Sequence, residues 1–276
     1  MKKENLSTIF LVMILVIGLS MLLYPSFSDY WNSFHQTRAI ATYTEYVQHL
    51  DENRYNQIWQ DALDYNANLA SQETKFVLSE EELEVYHETL NVAGDDVMGY
   101  VDIPLIQCSL PIYHGVDEAV LQVGVGHLDW TSLPTGGANT HCVLSSHRGL
   151  TSAKLFTDLD KLREGDLFML RVLDELFTYE VDQILIVEPQ ELNALTIQKG
   201  KDFCTLVTCT PYGVNSHRLL VRGHRVENTE ETEIIRVTND AVQVEPSIVA
   251  IVLAIPIFLA LLIYILIPKK KSKDSF

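Results

Sequence analysis

The sequence predicts a mainly β domain, a closed barrel or a sandwich, with an N-terminal helical extension and two transmembrane helices. Short apolar, β-branched runs separated by turn residues fill the middle of the chain, and helical spacing of apolar residues precedes them. An uncharged apolar segment on each side of this region predicts the two membrane helices. The predicted strands are residues 97–103, 108–113, 140–146, 167–173, 176–187, 204–209 and 216–226.

The two apolar segments have the length and composition of membrane spans. Residues 6–24 and 247–267 hold no charged side chain, and roughly 20 apolar residues cross a bilayer. Lysines precede the first segment and follow the second, so the positive-inside rule predicts cytoplasmic termini and an extracellular domain on the cell membrane. The alternative for the first segment is a cleaved signal peptide, with a small-x-small site at Ser26 and Ser28.

Helical patterns occupy most of the region between the first span and the strands. Residues 26–70 predict two amphipathic helices with a break near Asp51, and residues 79–90 predict a third. Another helix is predicted at residues 152–162, within the β region. The predicted organisation is residues 1–25 for the cytoplasmic N-terminus and first span, 26–96 for the helical extension, 97–226 for the β domain, 227–246 for an acidic linker, and 247–276 for the second span with its basic tail.

The net charge argues against nucleic-acid binding, and the positions of the cysteines limit which disulfides could form. The net charge of −17 at pH 7 argues against nucleic acid as a partner and fits a cationic partner such as a protein lysine. Cys204 and Cys209 lie about 16 Å apart on one extended strand, too far for a disulfide. Cys108 and Cys142 sit in apolar runs and are predicted to be buried free thiols, with a bridge between them as the alternative.

A predicted hairpin places a guanidinium opposite a thiol. Residues 203–208 and 216–226 flank a turn that contains Pro211 and Gly213. If the antiparallel pair is symmetric about this turn, Arg218 faces Cys209 with Cβ atoms roughly 5 Å apart. Arg222 lies on the same face but four residues further along, about 13 Å away. Because a free thiol needs a nearby cation to become a thiolate, Arg218 is the better partner of Cys209.

A proton carrier for such a thiol is found upstream. His217 alternates to the face opposite Arg218, whereas His147 ends an apolar strand at a loop that contains Gly149. Cysteine followed by histidine is the order of papain-like proteases, and this chain has the reverse order. The sequence therefore indicates a nucleophile at Cys209 with His147 as its general acid and base.

Two other interpretations of these residues remain. Cys209 is by composition alone a buried core thiol. A metal site is the second, but the sequence lacks the Cys-x-x-Cys pair and the His-x-x-x-His pair of common sites. We therefore expect neither a metal nor a cofactor. The soft ligands of that alternative are His141, Cys142, His147, Cys204 and Cys209.

The residues around this thiol resemble those of the sortases. His147 within HRG, Cys209 within TLVTC and Arg218 nine residues later carry the resemblance, and TCTPYGVNSHRLLVRGHR is similar to class C, the pilus-building sortases. The resemblance covers about residues 97–226 and includes the motifs LPIYHG, VGVGHL and SAKLFTDLDKL.

This resemblance implies a fold, a reaction and a set of partners. It implies an eight-stranded sortase-type β-barrel in which Cys209 is the nucleophile, His147 the general acid and base, and Arg218 the group that stabilises the oxyanion. The implied substrate is an LPxTG-like sorting signal on a pilin or surface protein, cleaved through a thioacyl-enzyme and joined to a pilin lysine amine. The alternatives are a housekeeping-like sortase that uses a peptidoglycan amine, and a non-catalytic membrane-tethered assembly scaffold.

Class C sortases often carry a lid, a loop whose Asp-Pro-aromatic motif plugs the active site. That tripeptide does not occur between residues 71 and 96. A cover with another anchor, formed by residues 73–78, stays open as an alternative.

Overall fold

The computed structural model describes residues 3–72, 74–230 and 232, with side chains from residue 10 onward except at position 11. The predicted span at residues 247–267 lies outside this part of the chain. The helices are α1 (Lys3–Gln48), α2 (Glu52–Ser71), α3 (Glu80–Glu88) and α4 (Glu118–Leu121). The strands are β1 (Val97–Ile103), β2 (Cys108–His114), β3 (Val125–His127), β4 (Thr140–Ser145), β5 (Leu167–Val172), β6 (Glu175–Val187), β7 (Asp202–Thr210) and β8 (His217–Val226).

The strands close into an eight-stranded barrel in the order β1-β2-β3-β4-β7-β8-β6-β5. The pairs β2–β3 and β4–β7 are parallel, and the other neighbours are antiparallel. The seven predicted strands are confirmed to within one or two residues at their ends. Sequence pattern missed β3, because three residues are too few to show alternation.

Alternation along the strands sorts the side chains onto two faces. Cys204 and Leu206 of β7 point into the barrel core, together with Val221 of β8. The intervening residues point outward, where a second set of buried apolar side chains packs. We call this set the outer cluster; it consists of Trp130, Val143, Leu195, Val207 and Leu220.

The N-terminal helices pack on the barrel. α1 is a single helix of 46 residues that continues through Pro25 into the part that contacts β1 and β2. The Tyr43 hydroxyl, at the buried end of this helix, donates to the Met98 carbonyl (3.1 Å) and accepts from the Leu173 amide (2.7 Å). The predicted break is confirmed, because the Asp51 side chain accepts from the Arg54 amide and caps α2.

One helix within the described residues is long and apolar enough to cross a membrane. This candidate covers Val12–Gln48 and has a mean hydropathy of 1.7 in its most apolar window. It includes most of the first predicted span, and residues 6–24 all belong to α1.

The predicted helix at residues 152–162 is wrong. The segment forms turns and ends in one short 3-10 turn at Leu159–Lys161. Its apolar residues Ala153, Leu155 and Phe156 are all buried. Leu155 has a φ of 41°, which breaks helical geometry, and the Lys154 amide donates to the Asp29 side chain of α1 (2.7 Å).

The cysteines are free, as predicted for Cys108 and Cys142. Cys142 of β4 and Cys204 of β7 are neighbours in the strand register, and both side chains point into the barrel as free thiols. Burial raises the pKa of the Cys108 thiol to about 12, so this side chain is an unreactive core residue. Cys209 is the partly exposed thiol of the four.

A buried histidine ties β4 to the connection between β6 and β7. His141 donates through Nδ1 to the Thr196 carbonyl (3.0 Å), and the Thr205 hydroxyl donates to Nε2 (2.7 Å). Both bonds suit the neutral ring, and burial lowers the pKa of His141 to about 4.

Acid should therefore weaken the fold through His141. His141 binds a proton near pH 6.5 in the unfolded chain and only near pH 4 in the folded chain. The free energy of unfolding therefore decreases as the pH is lowered from about 6.5 to about 4. The expected contribution is a loss of about 2 kcal/mol between pH 7 and pH 5. Denaturant unfolding of His141→Gln should lack this share of the pH dependence, whereas His49→Gln, at an exposed histidine, should retain it. If the free energy of unfolding depended on pH equally in the two variants, His141 would not be the source of this pH dependence.

Candidate active site

The hairpin of β7 and β8 brings Cys209 and Arg218 together. The two residues are direct partners in the antiparallel ladder, and Arg222 lies opposite Thr205. The predicted register is thus the observed one. Directly opposed side chains share a face, so the thiol and the guanidinium project from the same side of the sheet.

The parallel register of β4 and β7 predicts that His147 lies on the other side of Cys209 from Arg218. Strands β4 and β7 run parallel, and paired residues differ by 62 in number. The pattern continues beyond β4, because the Ser146 amide donates to the Val207 carbonyl (3.1 Å) and the Thr208 hydroxyl donates to the Ser146 carbonyl (2.8 Å). Continuing this register by one residue sets His147 beside Cys209 and on the same face. The register therefore predicts that His147, two residues after the end of β4, stands at the level of Cys209 and Arg218.

Cys209 and Arg218 lie at one end of the outer cluster, which forms an apolar floor on the outside of the barrel. Val207 of the outer cluster precedes Cys209 by two residues on the same face, and Leu220 follows Arg218 by two. Cys209 is half-buried where the floor meets solvent. An extended peptide on the outer cluster would thus run toward the thiol.

A carboxylate that the sequence interpretation missed approaches His147. Glu118 Oε2 of α4 lies 3.4 Å from His147 Nε2, with the histidine side chain 25% exposed and the glutamate 70%. The pKa of Glu118 is lowered, first by the hydrogen bond from Gln122 and then by the His147 charge. No local signal marks Glu118, because the contact depends on how α4 connects β2 to β3.

Arg218 is held at the hairpin turn. Its Nη1 donates to the Asn215 carbonyl (3.3 Å) and to the His217 carbonyl (3.1 Å). Within the described residues both of its hydrogen bonds use Nη1, so Nε and Nη2 remain to donate to an anion. Arg222 is committed elsewhere, because Asp182 accepts from both Nε and Nη2 at 2.9 Å.

Comparison with known proteins identifies the family of this site. The sortase domain model matches residues 101–226. Sortase C1 from Streptococcus agalactiae superposes with a TM-score of 0.68 at 51% identity, covering 70% of this chain and 100% of that chain. The chain belongs to the sortase family.

Two further relatives support the assignment to the sortase family. Sortase C from Streptococcus pneumoniae has a TM-score of 0.63 at 43% identity, covering 70% of this chain and 98% of that chain. Sortase D from Bacillus subtilis (strain 168) is 34% identical over 131 residues, which are 46% of this chain and 63% of the relative. The chain thus spans less than two thirds of this curated relative. The sortase C neighbours confirm the resemblance to class C.

A cation–π contact joins the loop that follows His147 in this sortase to the turn that follows Cys209. The Arg148 guanidinium lies 5.8 Å from the centre of the Tyr212 ring. Gly149 has a φ of 75°, and a Cβ there would lie 2.8 Å from the same ring. The positive φ at 149 therefore favours glycine, and the absence of a Cβ lets the exposed Tyr212 ring pack closely against the backbone. Sequence reasoning noted Gly149 as a loop signal but missed Tyr212.

A short segment of the extension covers part of the apolar floor of the sortase. Phe76 packs edge-on against Trp130 with ring centres 5.0 Å apart, and Leu78 contacts the outer cluster. Lys75 donates to Glu82 of α3 (2.8 Å), which fastens the segment at one end. Residues 74–79, which we call the cover segment, thus lie on the floor without an Asp-Pro-aromatic motif.

The residues of the metal alternative do not converge in this sortase. Cys142 and Cys204 point into the barrel, whereas His147 and Cys209 lie on the outer face. His141 uses both ring nitrogens for Thr196 and Thr205. The alternation of β4 and β7 therefore divides the five residues between opposite sides of one sheet.

Proposed function

We propose that this chain is a pilus-building cysteine transpeptidase that cleaves an LPxTG-like sorting signal after its threonine and joins the threonine to a pilin lysine. The observation that carries the proposal is the pairing of Cys209 with Arg218 across β7 and β8, next to which the continued register of β4 and β7 would bring His147. Sortases are cysteine transpeptidases, and the sortase C neighbours support the pilus-building class. The acidic chain, with a net charge of −17, suits an acceptor that presents a lysine.

In the first half-reaction the Cys209 thiolate attacks the threonine carbonyl of a peptide lying on the outer cluster. Arg218, through the N–H groups that the turn leaves free, stabilises the oxyanion of the tetrahedral intermediate. His147 donates a proton to the leaving amine as the peptide bond breaks. The product is a thioester between Cys209 and the threonine.

In the second half-reaction a lysine amine attacks this thioester. His147 removes a proton from the attacking amine, and Arg218 again stabilises the oxyanion. Collapse of the intermediate expels the Cys209 thiolate and leaves an isopeptide bond. Repetition of the cycle on successive subunits would build a polymer. In this proposal α1 anchors the enzyme in the cell membrane with the barrel outside.

The thioacyl step is tested by intact mass spectrometry. Full-length protein in detergent is incubated with an LPxTG peptide and no amine acceptor. We expect an adduct equal in mass to the peptide's amino-terminal part, absent in Cys209→Ala and retained in Cys108→Ala. Failure to form the adduct, although a small thiol reagent modifies Cys209, would contradict the assigned substrate.

The acceptor is tested separately. A lysine-bearing pilin added to the preformed adduct should discharge it and give ladders of one pilin. Discharge by a peptidoglycan cross-bridge amine alone would instead indicate the housekeeping activity. Loss of all discharge with the adduct intact would limit the proposal to its first half.

Opening the cover segment should increase the rate of acylation. The Phe76–Trp130 contact is an aromatic pair worth about 0.5–1.5 kcal/mol, so Phe76→Ala should raise the rate about two- to tenfold. Val77→Ala is the matched control, because the Val77 side chain is 82% exposed and should leave the rate unchanged. The rate of adduct formation measures both, and a rate for Phe76→Ala no higher than that of the control would exclude a covering role.

A further inference from the structure

Four aromatic side chains form an exposed stripe on α1 just after its apolar segment. Phe27, Tyr30, Trp31 and Phe34 follow the spacing that puts residues on one helical face. They are 63%, 49%, 55% and 55% exposed. Phe27 and Trp31 stack with ring centres 6.5 Å apart, so the stripe is a continuous apolar surface. We call it the aromatic stripe.

The opposite face of the same helix turns is docked on the barrel. Asn32 Nδ2 donates to the Ser152 carbonyl (2.8 Å), and Gln36 Nε2 donates to the Val123 carbonyl (2.9 Å). Asp29 accepts from the Lys154 amide (2.7 Å). At about 100° per residue these contacts lie across the helix from the aromatic stripe. The barrel therefore fixes the direction of the stripe without covering it.

The composition around the stripe is that of a membrane interface. Between residues 6 and 37 the only Asp, Glu, Lys or Arg is Asp29, which is bonded to the barrel. Tyrosine and tryptophan concentrate at the headgroup level of bilayers, where the ring is apolar and its polar atom meets water. The stripe begins three residues after Tyr24, so it lies roughly 4–15 Å beyond the apolar run. A headgroup layer is about 5–8 Å thick on each side of the hydrocarbon core, and a helix tilted by about 40° brings Phe27, Tyr30 and Trp31 into it, with Phe34 just beyond its outer edge.

We propose that the aromatic stripe is a lipid-binding surface that lies in the headgroup layer and seats the barrel on the membrane. This inference rests on the proposed membrane anchoring by α1. The docked loop at Ser152 and Lys154 follows His147 by only a few residues, so the stripe also brings the active-site end of β4 close to the bilayer. A substrate still held in the same membrane would present its cleavage site at that height.

Depth-dependent fluorescence quenching tests the location of the stripe. The chain has three tryptophans, and Trp59→Phe with Trp130→Phe leaves Trp31 as the single probe. The full-length protein is placed in vesicles of phosphatidylcholine and phosphatidylglycerol that are brominated either near the headgroup or near the bilayer centre. The control adds Trp31→Phe and Tyr46→Trp, which moves the probe to an exposed position on the same helix.

We expect headgroup-proximal bromines to quench Trp31 about threefold more strongly than the probe at 46, which lies roughly 18 Å beyond Phe34. They should also quench Trp31 more strongly than bromines at the bilayer centre. Equal quenching of the two probes would overturn the proposal. So would Tyr30→Cys protein that forms disulfide-linked dimers in the same vesicles, because a second copy would then occupy the stripe. These readouts require no transpeptidase activity, so they stand or fall independently of the proposed chemistry.

Discussion

Arg218→Lys is expected to slow formation of the thioacyl adduct by about 10²- to 10³-fold. The structure ties Nη1 of Arg218 to two turn carbonyls, and the forked guanidinium leaves other N–H groups for the oxyanion. An ammonium is a single point donor that cannot bond the turn and the oxyanion at once. Single-turnover acylation monitored by intact mass measures the effect.

Arg222→Lys is the matched control for this substitution. It changes the same residue type on the same strand and face, but Arg222 pairs with Asp182 and lies 4.2 Å from the centre of the Phe203 ring. We expect a lower unfolding temperature with an acylation rate within about threefold of wild type, since a partly buried ion pair affects stability rather than the reaction. Comparable rate losses in the two variants would show that Arg218 has no special role at the oxyanion.

His147→Asn is expected to lower peptide acylation by about 10²- to 10⁴-fold, because the leaving amine needs a proton as its bond breaks. An ester analogue of the peptide has a better leaving group and depends less on an acid. The variant should therefore lose much less activity on the ester than on the peptide. A purely structural role of His147 predicts equal losses on both substrates.

His217→Asn is the corresponding control. His217 precedes Arg218 and points to the opposite face of β8, where its Nδ1 contacts the Ser216 hydroxyl at 2.8 Å. Its replacement should leave both substrates within about twofold of wild type, since a surface change away from the reacting groups has little effect. Loss of activity in this variant similar to that of His147→Asn would reverse the assignment of the proton carrier.

The parts of the site that lie on one hairpin were predictable from sequence. The opposition of Cys209 and Arg218 follows from a short turn between two strands, because a tight turn fixes the register over the whole pair. Pro211 and Gly213 mark that turn locally. His147 required a further step, since its strand pairs with β7 in parallel and the register depends on the closed barrel.

The remainder depends on contacts distant in sequence. Glu118 reaches His147 only because α4 sits between β2 and β3, and Tyr212 meets Gly149 across two loops. Residues 152–162 have apolar spacing that suits a helix, yet the segment is pulled into turns by its bond to Asp29 and by burial of Phe156. Tertiary packing overrides local preference in each case, and a pattern along the chain carries no record of it.

Under the proposed membrane anchoring, the unbroken course of α1 sets the rotation of the barrel about the helix axis as well as its height above the bilayer. Each residue added between Tyr24 and Asp29 would turn everything beyond it by about 100° and raise it by about 1.5 Å. One added residue would rotate the mouth of the active site away from its original bearing over the membrane. Seven added residues, close to two full turns, would restore the bearing at roughly 10 Å greater height. In this part of α1, a change in the number of residues therefore changes the height and the orientation of the barrel together.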